Sequence, residues 1–238
     1  MDIVIPIGKG STWYDNETRW FLRSVEKYVG GFRNIVIVGE LPYFLKDVIH
    51  IACPDGPRAT KNIMQKVLAA CGDERVSADF FFCNDDYFFL KPVSVKNFPN
   101  YYARRIEDAI RARKFRDRYR VSQENTVAAL KEKSFDTLQF DIHVPIVYNK
   151  KKFKEAMEQY DWNVLHGYMV KSLYANTVKL PATEMDDCKI DAHILRDDLL
   201  KKIEGRFIFS HGERGLNRDV KELMHEHCPE ASRWEKEF

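Results

Sequence analysis

The sequence predicts an α/β fold in which helices cover both faces of a mostly parallel, doubly wound sheet. Short runs of β-branched or aromatic residues at 3–7, 35–38 and 80–83 alternate with stretches such as 16–28, where apolar residues recur at helical spacing. Strands and helices that alternate at these intervals are typical of parallel βαβ units. With 238 residues, 45% of them hydrophobic, the chain is long enough for one full-sized core.

The first part of the chain has the clearest pattern. Glycines at positions 8 and 10 break the first strand, and Gly30 and Gly31 end the first helix. The pattern predicts, in order, a strand over 3–7, a helix over 16–28, strands over 35–38 and 48–51, a helix over 60–71 and a strand over 80–83.

Beyond Pro99 the pattern becomes mainly helical. We find no internal repeat, no low-complexity tract and no linker long enough to separate domains. The pattern predicts a helix running from the basic segment at 104–120 to residue 130, a strand within 137–148, helices over 150–160 and 164–174, a strand over 206–210 and a closing helix from 217.

Two adjacent carboxylates follow the most aromatic strand. Asp85 and Asp86 come directly after Asn84, and the nearest basic residue along the chain is Lys91. Open α/β sheets bind their ligands at the carboxyl ends of strands. Paired carboxylates repel each other, and hard oxygen ligands favour Mg²⁺ or Mn²⁺. We therefore predict a metal at Asp85 and Asp86; a polar turn after a strand is the alternative.

The composition argues against several classes of protein. The five cysteines are widely spaced and never form a Cys-x-x-Cys pair, so neither a disulfide framework nor a zinc ribbon is indicated. No apolar run approaches the roughly 20 residues that cross a bilayer, and the amino terminus enters a strand without a basic leader. We expect a cytoplasmic protein without a membrane span.

Charge is unevenly distributed along the chain. The net charge is only +2, but residues 104–120 hold eight basic residues and three acids, a net charge of +5. Such a segment could follow a phosphate backbone or be an ordinary solvated face. From it we select Arg111, Arg113 and Arg116 as possible acceptor-binding residues. Asp187, in a second acidic cluster, is a further candidate.

Several blocks of the sequence resemble the Stealth-type sugar-phosphate transferases. The resemblance implies a GT-A-like, Rossmann-like fold with a mainly helical C-terminal elaboration. It also implies one domain over 1–238, with a nucleotide-sugar-binding half at 1–99 and an acceptor-side half at 100–238. The matching blocks run in order over most of the chain: 2–5, 16–17 with Arg19, 22–28, 35–38, Asn62, 81–88 with Pro92 and Val93, 142–145 and 228–235.

The resemblance assigns roles around the donor. Mn²⁺ or Mg²⁺ would lie at Asp85 and Asp86, and His211, followed by a glycine, resembles the third metal ligand of some GT-A enzymes. The metal would act as a Lewis acid on the diphosphate, which gives Asp86 a catalytic role. Other residues are candidates for contacts to the phosphates, ribose or sugar: Gly8, Lys9, Gly10, Arg23, Asn62 and Asn84.

A general base is needed to activate an acceptor hydroxyl. His143 and Asp141 are the best candidates, because residues two apart on a strand share a face and a carboxylate can orient an imidazole. We predict a metal-dependent glycosyltransferase or sugar-phosphate transferase. Its nucleotide-sugar donor would react with a glycan or, as in virus-type DNA modification, with a hydroxylated base. The alternative is a non-catalytic nucleotide- or sugar-binding module on the same fold.

Overall fold

The computed structural model describes residues 1–56 and 59–237, and its centre is a five-stranded sheet. The strands are β1 Asp2–Ile7, β2 Val29–Gly30, β3 Ile35–Gly39, β4 Ile49–Ile51, β5 Asp79–Phe82, β6 Tyr87–Phe89, β7 Val93–Ser94, β8 Asn100–Tyr102, β9 Ile146–Asn149, β10 Ala182–Glu184, β11 Lys189–Ile190 and β12 Ile208–His211. The helices are α1 Asn16–Tyr28, α2 Ala59–Gly72, α3 Ile106–Ala112, α4 Arg118–Glu132, α5 Lys150–Met157, α6 Val170–Thr177, α7 Arg196–Ile203 and α8 Arg218–His227, with a 3₁₀ turn at Val95–Asn97.

The central sheet has the strand order β4-β3-β1-β5-β9. Its first four strands are parallel, and β9 at the edge is antiparallel to β5. Every residue of β3 is buried, as expected for a strand covered on both faces. The predicted α/β class, with a mostly parallel sheet flanked by helices, is confirmed.

Helices cover both faces of this sheet. Val4 of β1 points to one face, where it packs in a core with Val67 of α2 and Leu173 of α6. Ile3 and Ile5 point to the other face and pack in a core with α1. Residues one apart on a strand point in opposite directions, so the continuous apolar run of β1 serves both cores.

A second sheet starts where the acidic turn ends. Strand β6 follows Asp86 directly and pairs antiparallel with β12, which in turn pairs parallel with β11. The sequence pattern predicted neither β10 nor β11. Both are three residues or shorter, too short for an alternating pattern to be recognised.

Three predicted elements differ from the structure. The strand expected within 137–148 is only β9, and residues 141–145 are irregular. The helix expected through 104–130 is broken into α3 and α4, because the Asp117 side chain accepts a hydrogen bond from Arg120 N (2.8 Å) and so caps a new helix. The helix expected over 164–174 begins later, at Val170.

No helix in the described ranges 1–56 and 59–237 is both long enough and apolar enough to cross a membrane.

Candidate active site

A cleft of about 370 Å³ opens beside the carboxyl ends of β1, β5 and β12. Its position agrees with the rule that open α/β sheets bind ligands at this edge. The cleft brings together the loop after β1, the acidic turn after β5 and the end of β12. It is lined by residues 8–13, Asp15, Glu17, Asn84, Asp85, Asp86, His211, Gly212, Glu213 and Leu216.

The loop after β1 is held in place by Asp55. The carboxylate of Asp55 accepts a hydrogen bond from Lys9 N (3.1 Å) and is paired with the buried Lys66 ammonium. A Cβ at Gly8 would lie 2.9 Å from Asp55 Oδ2, and Gly10 has a φ of +104°, so a side chain is disfavoured at both positions. Gly8 and Gly10 therefore line the cleft with backbone alone.

Five acidic side chains line the cleft, those of Asp15, Glu17, Asp85, Asp86 and Glu213. Two of their oxygens, Asp86 Oδ1 and Glu17 Oε2, are buried and have no hydrogen-bond partner among the described residues. A buried polar atom without a partner costs free energy. These oxygens have the position and the chemistry to bind a cation.

Burial raises the pKa values of the two adjacent aspartates. Burial is the larger cause for Asp85, and the neighbouring carboxylates of Asp86 and Glu17 add to it, so the pKa of Asp85 reaches about 8. Burial also raises the pKa of Asp86, although nearby positive charges oppose the shift. At neutral pH most Asp85 side chains therefore carry a proton that a bound cation would displace.

Strand pairing brings His211 beside the aspartates. Because β12 runs antiparallel to β6, His211 N comes to donate to Asp86 O at 3.3 Å. His211 is buried, and burial is the main reason why its pKa falls to about 4. A neutral imidazole at physiological pH is the form that binds metals.

The donor set of this cleft fits a divalent cation in its chemistry, with carboxylate oxygens and one neutral imidazole. Within the described residues, however, no group of three or more histidine, cysteine or acidic side chains is arranged so that it could hold a metal ion. Mg²⁺ is commonly held by only one or two carboxylates together with substrate phosphates. The arrangement is therefore of the kind that a bound diphosphate would complete.

A second cleft, of about 520 Å³, shares Asn84 with the first. Chain beyond residue 100 supplies most of its walls. It is lined by Ile63, Phe82, Asn84, Arg113, Tyr119, Ser122, Gln139, 141–143, 168–171, Asp187, Lys189 and Asp191.

His143 lies in this second cleft between a carboxylate and an ammonium group. Its Nδ1 is 2.9 Å from Asp187 Oδ2, and its Nε2 is 3.0 Å from Lys189 Nζ. Because an ammonium group only donates, Nε2 accepts from Lys189 and Nδ1 carries the proton shared with Asp187. Asp187 also accepts from His143 N (3.0 Å), which fixes both the ring and the backbone.

Asp141 has a different role from the one expected. Its side chain accepts a hydrogen bond from Ser172 N at 2.8 Å, at the start of α6. Ser172 Oγ in turn accepts from Phe140 N at 2.9 Å. The prediction that Asp141 shares a strand face with His143 and orients it is wrong, since this segment is not a strand and Asp187 is the carboxylate that holds the ring.

Buried Lys171 fixes the segment around His143. Its ammonium donates to Ile142 O (2.8 Å), Val144 O (2.7 Å) and Tyr87 OH (3.0 Å). All three of its donors are used, which compensates for burying a charge. Lys171 therefore connects the strand that follows the aspartates to the segment that carries His143.

Two predicted donor-binding residues are engaged elsewhere and do not line the first cleft. Arg23 binds the buried Glu235 carboxylate through Nε (2.7 Å) and Nη2 (2.9 Å), and Arg19 binds the same carboxylate. Asn62 makes two hydrogen bonds to the backbone of Gly56, at 2.8 and 3.0 Å. We correct both assignments: Arg23 holds the C-terminal segment against α1, and Asn62 holds a loop.

Arg23→Met is expected to destabilise the fold by about 3 kcal/mol, roughly 6–12 °C in Tm, because it leaves the Glu235 charge buried with one partner fewer. Thermal unfolding measures this loss. Arg218→Met, which removes an exposed arginine paired with Glu222, is the control and should leave Tm unchanged. Unchanged stability of Arg23→Met, together with weakened donor binding, would restore the original assignment.

Two of the three basic acceptor candidates, Arg111 and Arg116, are exposed, Arg113 is partly buried, and each of the three is paired with a carboxylate. Arg111 pairs with Asp108, Arg113 with Asp117 and Arg116 with Glu124. Of the three, only Arg113 lines the second cleft.

Sequence reasoning missed several residues of the two clefts. Asp15 and Glu17 follow the glycine loop closely in the sequence. Acidic residues so near the predicted ligand-binding end of the sheet could have been recognised as candidates for the first cleft. Lys171 and Lys189 had no such signal, because lysines in helices and short strands are usually solvated. Only the folded chain brings the Lys189 ammonium to His143 and the Lys171 ammonium to the carbonyls on either side of it.

Comparison with known proteins identifies the fold. No protein-family model matches the chain, and no curated protein is similar in sequence. A structure of the galactosyltransferase LgtC in complex with donor and acceptor sugar analogs aligns with a TM-score of 0.57 and 11% identity over 97% of this chain and 96% of that one. An active-site mutant of LgtC aligns with a TM-score of 0.54 and 10% identity over 96% and 95% of the two chains.

A third structure, apo mouse xyloside xylosyltransferase 1, aligns less well, with a TM-score of 0.44 and 10% identity over 91% and 99% of the two chains. The likeness to LgtC shows that this chain has the GT-A fold of nucleotide-sugar glycosyltransferases. The GT-A-like fold that the sequence resemblance implied is thus confirmed.

Proposed function

We propose that this protein is a metal-dependent transferase that moves a sugar, or a sugar phosphate as in the Stealth-type enzymes, from a nucleotide-sugar donor to a hydroxyl group. The main support is the acid-lined first cleft, where Asp86 Oδ1 and Glu17 Oε2 lie buried near neutral His211 and have no hydrogen-bond partner in the described part of the chain. The fold shared with LgtC, which was solved with donor and acceptor sugar analogs, adds support.

The first cleft is the proposed donor site. The backbone of Gly8 and Gly10 and the ammonium of Lys9, which is exposed and pairs only loosely with Glu40 at 3.6 Å, would bind the diphosphate. Asn84 would contact the sugar between the two clefts. Asp85, Asp86 and His211 would hold Mn²⁺ or Mg²⁺, which when bound neutralises the charge of the leaving diphosphate. Donor contacts thus come mainly from residues 1–99 and acceptor contacts from residues 100–238.

His143 is the proposed general base for the acceptor hydroxyl. Asp187 holds Nδ1–H, so Nε2 is the atom that would take the proton. Lys189 covers this atom in the structure, but the Lys189 side chain also passes beside the first cleft, since its Cε would lie 3.4 Å from a Cβ at Gly212. A diphosphate bound there would attract the ammonium and free His143.

The acceptor is proposed to be a glycan that enters the second cleft. A hydroxylated DNA base is the weaker candidate, because Asp108, Asp117 and Glu124 lie against the three arginines that would have to bind phosphates. Asp187 is assigned to orienting His143 instead of binding the acceptor. Mass analysis of the product will show whether a sugar or a sugar phosphate is transferred.

Thermal shift with nucleotide sugars tests the proposal. Mn²⁺ with a matching donor at about 100 times its Kd should stabilise the protein by about 2.7 kcal/mol. Mn²⁺ should stabilise more at about pH 8 than at about pH 6, since it displaces the Asp85 proton. The matching nucleoside monophosphate is the control and should have a smaller effect.

The non-catalytic module makes a different prediction for the same protein. It would bind donor without metal-dependent hydrolysis, and Asp86→Ala would leave its affinity unchanged. Stabilisation by Mn²⁺ and donor together with hydrolysis would rule it out.

A further inference from the structure

The loop between α3 and α4 exposes an aromatic side chain among basic residues. Phe115 is 80% exposed at the tip of residues 113–117. Lys114 and Arg116 adjoin it, and Arg118 begins α4. Lys114 and Arg118 take part in no ion pair with the described residues, so their charges are available to an external partner.

Side-chain contacts hold both ends of this loop in place. The Arg113 guanidinium lies over the Tyr119 ring at 4.9 Å and pairs with Asp117, and Arg120 Nη1 donates to Arg113 O at 3.3 Å. These contacts turn both ends of the loop toward α4. Phe115 is therefore presented outward although the residues beside it are anchored.

A second exposed apolar residue lies along the same helix. Leu165 is 68% exposed, and its carbonyl accepts from Asn125 Nδ2 at 2.8 Å. Ser122 Oγ donates to the next carbonyl, of residue 166, at 2.7 Å. Positions 118, 122 and 125 follow helical spacing on one face of α4. Leu165 is thus held beside the part of α4 that contains Ser122 and Asn125, and Phe115 lies in the loop just before this helix begins at Arg118.

This surface borders the second cleft. Arg113 and Tyr119 belong both to the surface and to the lining of that cleft, and Ser122, which holds the carbonyl of residue 166, lines the cleft as well. Partly exposed Ile63 is a further lining residue. A partner bound to the surface would therefore lie next to the proposed acceptor.

We propose that this surface, formed by residues 113–119 and Leu165, binds an anionic lipid bilayer, and that the acceptor glycan is carried by a lipid. Exposed aromatic side chains insert into the bilayer interface, and each nearby cation adds about 1 kcal/mol at an anionic leaflet. A DNA duplex offers phosphates but no apolar layer for Phe115 and Leu165. The identity of the acceptor rests on the proposed function; binding to the bilayer does not.

Flotation of the full chain with vesicles tests the proposal. We expect binding to vesicles in which about one third of the lipid is phosphatidylglycerol, weaker binding at about 0.5 M salt, and little binding to pure phosphatidylcholine. Phe115→Glu should weaken binding to anionic vesicles by about tenfold or more. Leu195→Glu, at a residue that is 64% exposed before α7, is the matched control and should bind like the unmodified chain.

Three results would overturn the proposal: no binding to anionic vesicles, equal binding by Phe115→Glu, or salt-sensitive binding to a DNA duplex that Phe115→Glu leaves intact. Donor hydrolysis measured without vesicles separates this proposal from the proposed function. Donor hydrolysis without vesicle binding would contradict only the proposal that this surface binds a bilayer. Vesicle binding without donor hydrolysis would contradict the proposed transferase activity but not the proposed bilayer binding.

Discussion

Asp86→Asn is expected to lower metal-dependent transfer by about a thousandfold, because it removes a charged oxygen ligand from beside the proposed diphosphate. Steady-state kinetics at saturating Mn²⁺ measure this loss. The matched control is Asp79→Asn at the other end of β5, where the carboxylate accepts a hydrogen bond from Asn149 Nδ2 at 2.7 Å. Near-normal turnover of Asp86→Asn would remove the aspartate from the mechanism.

The same variant should be more stable than the unmodified protein when no metal is present. A carboxyl whose pKa is raised by folding, such as Asp85 at about 8 against 3.8, costs stability progressively as pH rises from about 4 toward 8. Asp86→Asn removes one such carboxyl and relieves repulsion on the other. We expect a gain on the order of 1 kcal/mol near neutral pH, or about 2–4 °C in Tm. A loss of stability would indicate that Asp86 is structural.

His143→Ala is expected to lower kcat by about a hundredfold to ten-thousandfold while the donor Kd stays unchanged, since a general base acts on the acceptor. His193→Ala, at an exposed histidine outside both clefts, is the control. Asp187→Asn should lower kcat as well, because it removes the partner of Nδ1. Equal losses in kcat and donor affinity would contradict the role of His143 as the base.

Lys189→Met tests the coupling between the clefts. If a bound diphosphate draws Lys189 away from His143, the variant should bind donor more weakly and lose turnover at low donor concentration. Unchanged donor affinity would show that Lys189 does not reach the donor.

Much of the first cleft was predictable because its signals are local. The apolar run of β5 and the acids after it lie next to each other in the chain, so the strand and the position of Asp85 and Asp86 at its ligand-binding end followed from a few residues. The glycine loop after β1 was recognisable for the same reason. Arg23 was misassigned because its surroundings along the chain carry no sign of Glu235.

The second cleft was less predictable because its groups come from distant positions. His143, predicted as a general base, does line this cleft, but the nearest acid in the sequence, Asp141, was taken for its partner. The actual partners are Asp187, which lies just before β11, and Lys189, which begins it. A strand of two residues has no recognisable pattern in the sequence.

Periodicity and composition were thus sufficient for the α/β class, the parallel order of strands and the acidic edge, since all of these depend on the preferences of neighbouring residues. Which side chains meet at that edge depended on the register of strands far apart in the chain. His211 reaches Asp86 only through the pairing of β12 with β6, and Glu235 reaches Arg23 only when the last segment packs against α1. Such contacts follow from burying a shared core, and no local pattern encodes them.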